Sequence, residues 1–134
     1  LQHLSREHPI FHLDPIVDSA ELPSLQKQVW DIHIDGSLQD YIIQLVTSTR
    51  SHKFLTLGAS PRASLALFRS SQALASIQGR DHVLPDDIQR LAPAVLGHRL
   101  IVSPDAQLRG HTALSIITDI LSTTPLELRQ APSS

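Results

Sequence analysis

Residues 58–79, GASPRASLALFRSSQALASIQG, decide the fold, because they hold a helix start, a helix body and a helix stop in one segment. Ser60 is a preferred residue type for an N-cap, and Pro61 suits the first helical position, where no intrahelical N–H bond is lost. Gly79 suits the C-terminal stop, since glycine readily adopts the left-handed conformation. The apolar residues between these signals form two adjacent stripes. We therefore expect a helix of about five turns that is central and buried on most of its circumference.

The flanking sequence continues the helical pattern on both sides. The spacing of apolar residues predicts further helices over residues 20–30, 38–50, 85–96 and 113–124. Ser37 is expected to cap the second of these helices, and Pro93 to kink or divide the third. The sequence therefore predicts an all-α fold, a small helical bundle of five or six helices with short extended connectors and little room for a sheet.

The composition excludes several classes of protein. With 134 residues, 41% hydrophobic and 18% charged, the chain suits one globular domain. We expect it to be soluble, because no apolar run approaches the length of about 18 residues that a membrane span needs. Cysteine is absent, which excludes disulfides, cysteine zinc sites and thiol nucleophiles. Methionine is absent too and the chain begins with Leu1, so we expect it to be a piece of a longer protein.

Charge is distributed unevenly along the chain. Residues 41–80 carry five basic residues and no acid, whereas the flanking segments are acidic and the net charge is −2. Two interpretations of this cationic middle stay open, a solvated face that attracts the acidic flanks and a site for anions. Its basic residues are Arg50, Lys53, Arg62, Arg69 and Arg80.

Arg62 is the residue that most needs an explanation. It falls in the first turn of the predicted helix, where free N–H groups and the helix dipole already present positive potential, so a cation there costs about 0.3–1 kcal/mol. No acid within residues 41–80 offsets it. A helix N-terminus, the Ser60 hydroxyl and a forked guanidinium together resemble the elements of a phosphate site. The alternative is a structural ion pair with a distant carboxylate such as Asp35 or Asp86.

Several blocks of sequence together resemble the C-terminal lid domain of the MoxR family of AAA+ ATPases. The most specific block is Gly-Ala-Ser-Pro-Arg-Ala at residues 58–63, and matching blocks follow at 79–88 and 91–100. Further matches lie upstream at residues 15–17, 29–34 and 41–52. The resemblance thus covers roughly residues 1–122. Leu84 departs from the family, which commonly has a capping Thr there, so we expect a looser start of the following helix.

The resemblance implies a function as well as an AAA+ lid fold. Arg62 would be the sensor 2 arginine, which reaches the terminal phosphates of a nucleotide held mainly by the core domain of the same chain. The implied cofactor is ATP, with Mg²⁺ held by that core domain, and the implied cofactor-binding residues are Ser60, Pro61 and Arg62. Arg62 would also be the catalytic residue, because its charge can stabilise the transferred phosphoryl group and report hydrolysis by moving the lid.

The same resemblance implies a domain organisation and partners. Residues 1–20 would connect to the core domain, residues 21–124 would form the lid, and residues 125–134 would be a tail. The implied partners are the core domain, neighbouring subunits of a hexameric ring and a protein with a von Willebrand factor A domain. We expect a cytoplasmic protein with no membrane or nucleic-acid partner.

The chain lacks the motifs that hydrolyse ATP. No glycine is followed by lysine, and no apolar strand pattern ends in Asp-Glu, so neither a Walker A nor a Walker B motif is present. We therefore expect the chain to be inactive alone and to help a chaperone-like ATPase bind ATP and couple its hydrolysis to conformational change.

Other candidate sites and functions have less support. His8 and His12 have helical spacing, but Pro9 separates them and no carboxylate completes a metal set. Asp86 and Asp87 suit a helix cap better than a catalytic pair. The alternative function is a helical protein-interaction or nucleic-acid-binding module that uses the cationic middle. The negative net charge and the scarcity of aromatic residues argue against nucleic acid, and no nucleophile and base can be assembled for a stand-alone enzyme.

Overall fold

A computed structural model describes residues 12–126, and six α-helices make up most of that range. The helices are α1 (Leu22–Trp30), α2 (Gly36–Arg50), α3 (Pro61–Ile77), α4 (Pro85–Leu96), α5 (Pro104–Leu108) and α6 (Ala113–Thr123). Two short strands, β1 (Leu55–Leu57) and β2 (Ile101–Val102), pair antiparallel. The predicted helical bundle is confirmed, and the small sheet is an addition that helical spacing could not show.

The core lies where α2, α3, α4 and α6 pack against one another. Each helix contributes side chains from one face of its 3.6-residue repeat, which is why the apolar stripes in the sequence predict the inward faces. Burying one such large side chain contributes about 1.5–3 kcal/mol. The largest fully buried apolar side chains include Tyr41, Leu45, Leu67, Ile88 and Ile117. This packing holds α3 between α2 and α4.

Helix α3 has the predicted ends but is less buried than expected. Ser60 occupies its N-cap with extended backbone, and Gly79 has a φ of +73° just beyond its C-terminus. Leu67 faces the core, whereas Leu65 is 59% exposed and Ile77 is 82% exposed. Both apolar stripes reach the core, since Leu67 and Ala75 are fully buried, but each stripe also has an exposed member. The expectation of burial on most of the circumference is therefore wrong at Leu65 and at Ile77.

The N-cap of α2 is Asp35, so the assignment of Ser37 as the cap was wrong. The Asp35 carboxylate accepts the backbone N–H of Ser37 at 2.8 Å and the hydroxyl of Ser37 at 2.5 Å. These two bonds hold the pKa of the Asp35 carboxyl below its usual value. Both residue types are good caps, and the Asp35-Gly36 turn places the carboxylate at the free N–H groups.

Helix α4 continues through Pro93 to Leu96 without a break, so the predicted division of this helix was wrong. Proline removes one backbone hydrogen bond and crowds the preceding turn. Ile88, Ala92 and Leu96 are all buried along one face of the helix. The free energy from burying that face outweighs the cost of the proline.

An ion pair between Arg80 and the buried carboxylate of Asp87 stabilises the start of α4. Arg80 donates from Nη1 to Oδ2 of Asp87 at 2.8 Å and from Nη2 to Oδ1 at 2.7 Å, and Asp87 is only 5% exposed. Asp87 Oδ2 also accepts the backbone N–H of Leu84 at 2.8 Å, which is one half of a capping box; the other half is missing, because Leu84 has no side-chain oxygen to accept a helix N–H. Burial alone would raise the pKa of Asp87, but the bonds from Arg80 and Leu84 outweigh it and hold that pKa below its usual value. The predicted capping role is confirmed for Asp87.

Three predictions fall at least partly outside residues 12–126. Residues 127–134 of the predicted tail, 125–134, lie outside the described residues, as do residues 1–11 of the predicted connector. His8, one of the two metal candidates, also lies outside them. Among residues 12–126, no helix has the length and hydropathy of a membrane span.

Asp87 should make the stability of the domain depend on pH. Its carboxyl has a lower pKa in the folded chain than in the unfolded chain, so its contribution is complete above the unfolded value of about 4 and is lost as pH falls through the folded value. Asp87→Asn should lower the free energy of unfolding by about 1.5–3 kcal/mol at neutral pH. The variant should also lose less stability than the wild type on acidification. Urea denaturation from about pH 7 to about pH 3 measures both effects.

The matched control is Asp86→Asn, which removes the neighbouring exposed carboxyl of the same helical turn. It should change stability much less, because Asp86 makes no hydrogen bond or ion pair with any described residue. Equal effects of the two substitutions would contradict the role given to the Arg80–Asp87 pair.

Candidate functional site

The start of α3 is held against the end of α2 by two hydrogen bonds to Ala59. Thr49 Oγ1 accepts the backbone N–H of Ala59 at 2.9 Å, and Arg50 Nε donates to the carbonyl oxygen of Ala59 at 2.9 Å. Thr49 is fully buried, and its hydroxyl donates to the carbonyl of Val46 at 2.6 Å. We call these contacts of Thr49 and Arg50 with Ala59 the Ala59 clasp. It satisfies both backbone groups of Ala59 and fixes where α3 begins.

Gly58 allows the close approach that the Ala59 clasp requires. A Cβ at this position would lie 2.6 Å from the carbonyl oxygen of Thr49 and 2.7 Å from both Cα and N of Arg50. These are backbone atoms of a helix and cannot swing aside as a flexible side chain could. A side chain at Gly58 would therefore push the start of α3 away from α2.

Arg62 lies in the first turn of α3, immediately beyond the Ala59 clasp, and its side chain is exposed. It forms no hydrogen bond or ion pair within residues 12–126. Asp35, one of the carboxylates considered as a structural partner, is instead bonded to Ser37. The other, Asp86, makes no ion pair with it either. The positive charge of Arg62 is thus available to a ligand or to another domain.

An open cleft of about 450 Å³ lies at the same end of α3. It is lined by Arg50, Thr56, Leu57, Gly58, Ala59, Ser60, Pro61 and Arg99, and we call it the arginine cleft. No acidic side chain is among these lining residues. Of the predicted cofactor-binding residues, Ser60 and Pro61 line the cleft, whereas Arg62 does not. The Ser60 hydroxyl makes no cap hydrogen bond with the helix that it precedes.

Of the two arginines of this cleft, Arg50 was predicted as one of the basic residues of the cationic middle, either a solvated charge or part of an anion site. Arg99 was only part of a matching block. Arg99 Nε donates to the carbonyl oxygen of Val95 at 3.0 Å, just as Arg50 Nε donates to Ala59. Packing of α3 against α4 brings the turn that contains Arg99 to the start of α3, and a linear pattern could not show this contact.

A second groove, of about 330 Å³ and mostly apolar, lies on the other side of the first turn of α3. It is lined by Gln39, Ile42, Ile43, Pro61, Ser64, Leu65 and Phe68. Pro61 lines both the arginine cleft and this apolar groove, so the first turn of α3 separates an apolar surface from a cationic one. Among residues 12–126, no group of histidine or acidic side chains is arranged to hold a metal ion.

The AAA lid domain family matches residues 47–120, which include the Ala59 clasp, Arg62 and the arginine cleft. The chain is 38% identical over 126 residues to the uncharacterized protein YeaC of Bacillus subtilis, and 32% identical over 120 residues to the chaperone MoxR1 of Mycobacterium tuberculosis. The crystal structure of a Cytophaga hutchinsonii protein assigned as an ATPase superposes with a TM-score of 0.81 at 29% identity, over 95% of this chain.

The chain belongs to the AAA lid domain family. More particularly, its similarity to proteins named MoxR and to the Cytophaga hutchinsonii structure makes it the lid domain of a MoxR-like AAA+ ATPase. The matches cover 94% and 83% of this chain but only 39% of YeaC and 32% of MoxR1, and 41% of the Cytophaga hutchinsonii chain. The chain therefore spans about two fifths or less of these relatives.

Gly58→Ala should test the Ala59 clasp. The added methyl group would overlap backbone atoms of α2, so we expect the free energy of unfolding to fall by about 1–3 kcal/mol. Gly97→Ala is the matched control, because its Cβ would meet only Ile117 Cδ1 at an ordinary 3.7 Å. Thermal or urea unfolding of both variants measures the difference. A Gly58→Ala variant as stable as the wild type would show that α3 does not need this close contact.

Proposed function

We propose that Arg62 is the sensor 2 arginine of a MoxR-like AAA+ ATPase, and that this lid helps the ATPase bind ATP and couple hydrolysis to lid movement. The observation that carries the proposal is the exposed Arg62 guanidinium at the N-terminus of α3, with no hydrogen bond or ion pair within residues 12–126. A cation in this position is unfavourable for the helix by itself. A terminal phosphate beside it would turn this cost into a charge-assisted interaction.

The surroundings of Arg62 supply further groups suited to a phosphate. Ser60 has a hydroxyl that the helix does not use, and the backbone N–H of Arg62 has no acceptor among the described residues, whereas the N–H of Ala63 donates to the carbonyl of Ser60 at 2.8 Å. Pro61 lacks an N–H but fixes the backbone for the helix start. Ser60, Pro61 and Arg62 are therefore the proposed cofactor-binding residues, and Arg62 is the one that would act on the reacting phosphoryl group.

The Ala59 clasp makes Arg62 a suitable sensor. Because α3 is joined to α2 by one buried and one partly buried hydrogen bond, a force on the Arg62 guanidinium acts on the whole bundle rather than on one loop. Loss of the γ-phosphate on hydrolysis would remove a charge-assisted contact and shift the populations of open and closed lid positions. A rigid lid would convert that local change into a domain movement.

Mg²⁺ would be held by a different domain. The groups near Arg62 and in the arginine cleft are donors and cations, whereas Mg²⁺ requires oxygen ligands such as carboxylates. The core domain would therefore supply the Walker motifs and the metal ligands. That core domain and the neighbouring subunits of a ring are the proposed partners, and a von Willebrand factor A domain protein stays a prediction.

Domain boundaries and cellular role follow from the same proposal. Residues 1–20 would connect the core domain to a lid over residues 21–124, and residues 125–134 would form a tail. One relative, MoxR1, is named a chaperone, and a chaperone-like role is proposed for the parent of this chain on that basis. A cytoplasmic location stays a prediction.

Arg62→Ala in the longer ATPase should lower the rate of ATP hydrolysis by about tenfold or more, because removing one preorganised cationic donor raises the barrier of phosphoryl transfer. Steady-state phosphate release measures the rate. The isolated chain, which has no Walker A or Walker B motif, should release no phosphate above background.

The matched control is Arg90→Ala, since Arg90 is an exposed arginine on α4 that makes no hydrogen bond or ion pair with any described residue. It should leave hydrolysis unchanged. Thermal unfolding should show both variants folded, with Arg62→Ala at least as stable as the wild type because it removes a cation from the helix N-terminus. Unchanged hydrolysis in Arg62→Ala would overturn the sensor 2 assignment.

A further inference from the structure

We propose that the arginine cleft binds a phosphoryl group at a site separate from Arg62. Arg50 at the end of α2 and Arg99 in the turn after α4 both line this cleft, and no acidic residue does. Ser60 and Pro61, which are also proposed to bind the cofactor, line this cleft, but Arg62 does not, so the inference does not rest on the sensor 2 role of Arg62. The cleft could bind its ligand even if Arg62 had no role in ATP hydrolysis.

Both guanidinium groups are held in place by the backbone. Arg50 Nε is bonded to the carbonyl of Ala59 at 2.9 Å, and Arg99 Nε is bonded to the carbonyl of Val95 at 3.0 Å. Within the described residues, the Nη atoms of both side chains form no hydrogen bond or ion pair. Each arginine therefore keeps most of its donors for a ligand and has already lost much of the freedom that binding would otherwise cost.

Arginines elsewhere in the domain show what a purely structural arrangement looks like. Arg80 pairs with Asp87 at 2.7 Å, and Arg109 pairs with Asp105 at 3.0 Å. Arg50 and Arg99 both line the arginine cleft, and neither is paired with a carboxylate among the described residues. Two cations that share a cleft without an acid create a local positive potential that attracts an anion.

The chemistry of the cleft favours a phosphoryl group over a carboxylate. One carboxylate carries a single charge and can satisfy one guanidinium fork, which would leave the second arginine uncompensated. A phosphoryl group carries up to two charges and three acceptor oxygens, so it can bond both arginines at once. The hydroxyls of Thr56 and Ser60 also line the cleft. Its volume of about 450 Å³ lies within the range of small-ligand sites.

The test is a titration of the whole chain with inorganic pyrophosphate, followed by calorimetry and by NMR shifts of the backbone amides of Gly58 and Ala59. We expect saturable binding with shifts at these two amides and at the Nε–H groups of Arg50 and Arg99. Arg99→Gln should weaken binding by about tenfold, the equivalent of losing one charge-assisted hydrogen bond. Arg90→Gln, the matched control, should not change binding.

Further titrations identify the ligand and its source. ATP should bind to the cleft and adenosine should not. If ATP binds more tightly than pyrophosphate, the phosphoryl group belongs to a nucleotide. If the two bind equally, the ligand is free phosphate. Arg99→Lys keeps the charge without the fork and should bind more weakly than the wild type. Thermal unfolding confirms that each variant is folded.

Three results would overturn the proposal. The first is the absence of saturable pyrophosphate binding. The second is an equal affinity of the wild type and Arg99→Gln for pyrophosphate. The third is loss of pyrophosphate binding in Arg62→Gln, because that would place the phosphate at Arg62. Succinate that competes as well as pyrophosphate would overturn the preference for a phosphoryl group.

Discussion

Two hydrogen bonds from the last turn of α2 to the backbone of Ala59 determine the geometry of the functional end of this lid. Thr49 and Arg50 satisfy the N–H and the carbonyl of one residue, and Gly58 lets the two backbones touch. Because α3 starts immediately afterwards, its first turn cannot move without breaking one buried and one partly buried hydrogen bond. The positions of Arg62 and of the arginine cleft both follow from this attachment.

The distribution of charge separates an arginine that is paired within the domain from one that has no partner among the described residues. Arg80 is matched to a buried carboxylate, and the pair stabilises the start of α4. Arg62 has no partner among the described residues and stands where the helix already repels a cation. A domain can retain such an unfavourable arrangement when the missing counter-charge comes from outside it. In a MoxR-like AAA+ lid, that counter-charge would be the phosphate chain of ATP.

Sequence patterns predicted the helices well because apolar spacing, caps and stops are local signals. Helix α3 has the ends that Ser60, Pro61 and Gly79 indicate. The patterns failed where local preference competes with packing. Pro93 does not divide α4, since burial of one helical face outweighs a lost hydrogen bond. Either Asp35 or Ser37 could have capped α2, and propensity alone could not choose between them.

The candidate site was predictable only in part. Arg62 stood out because its charge conflicts with its place in a helix, which is a local argument. The role of Gly58 depends on its distance to α2, and Arg99 joins Arg50 only through the packing of α3 on α4. Contacts between residues far apart in sequence leave no periodic signal, so the cleft became visible only in three dimensions.

The central claim, that the Ala59 clasp holds Arg62 where it meets a nucleotide, is tested most directly by a crystal structure of the longer ATPase with a non-hydrolysable ATP analogue. The measurement is the distance from the Arg62 guanidinium to the γ-phosphate oxygens. The account predicts a hydrogen-bond distance of about 2.7–3.0 Å with the Ala59 clasp intact. An Arg62 side chain that is bonded to a carboxylate of the protein, or that points away from the nucleotide, would contradict it.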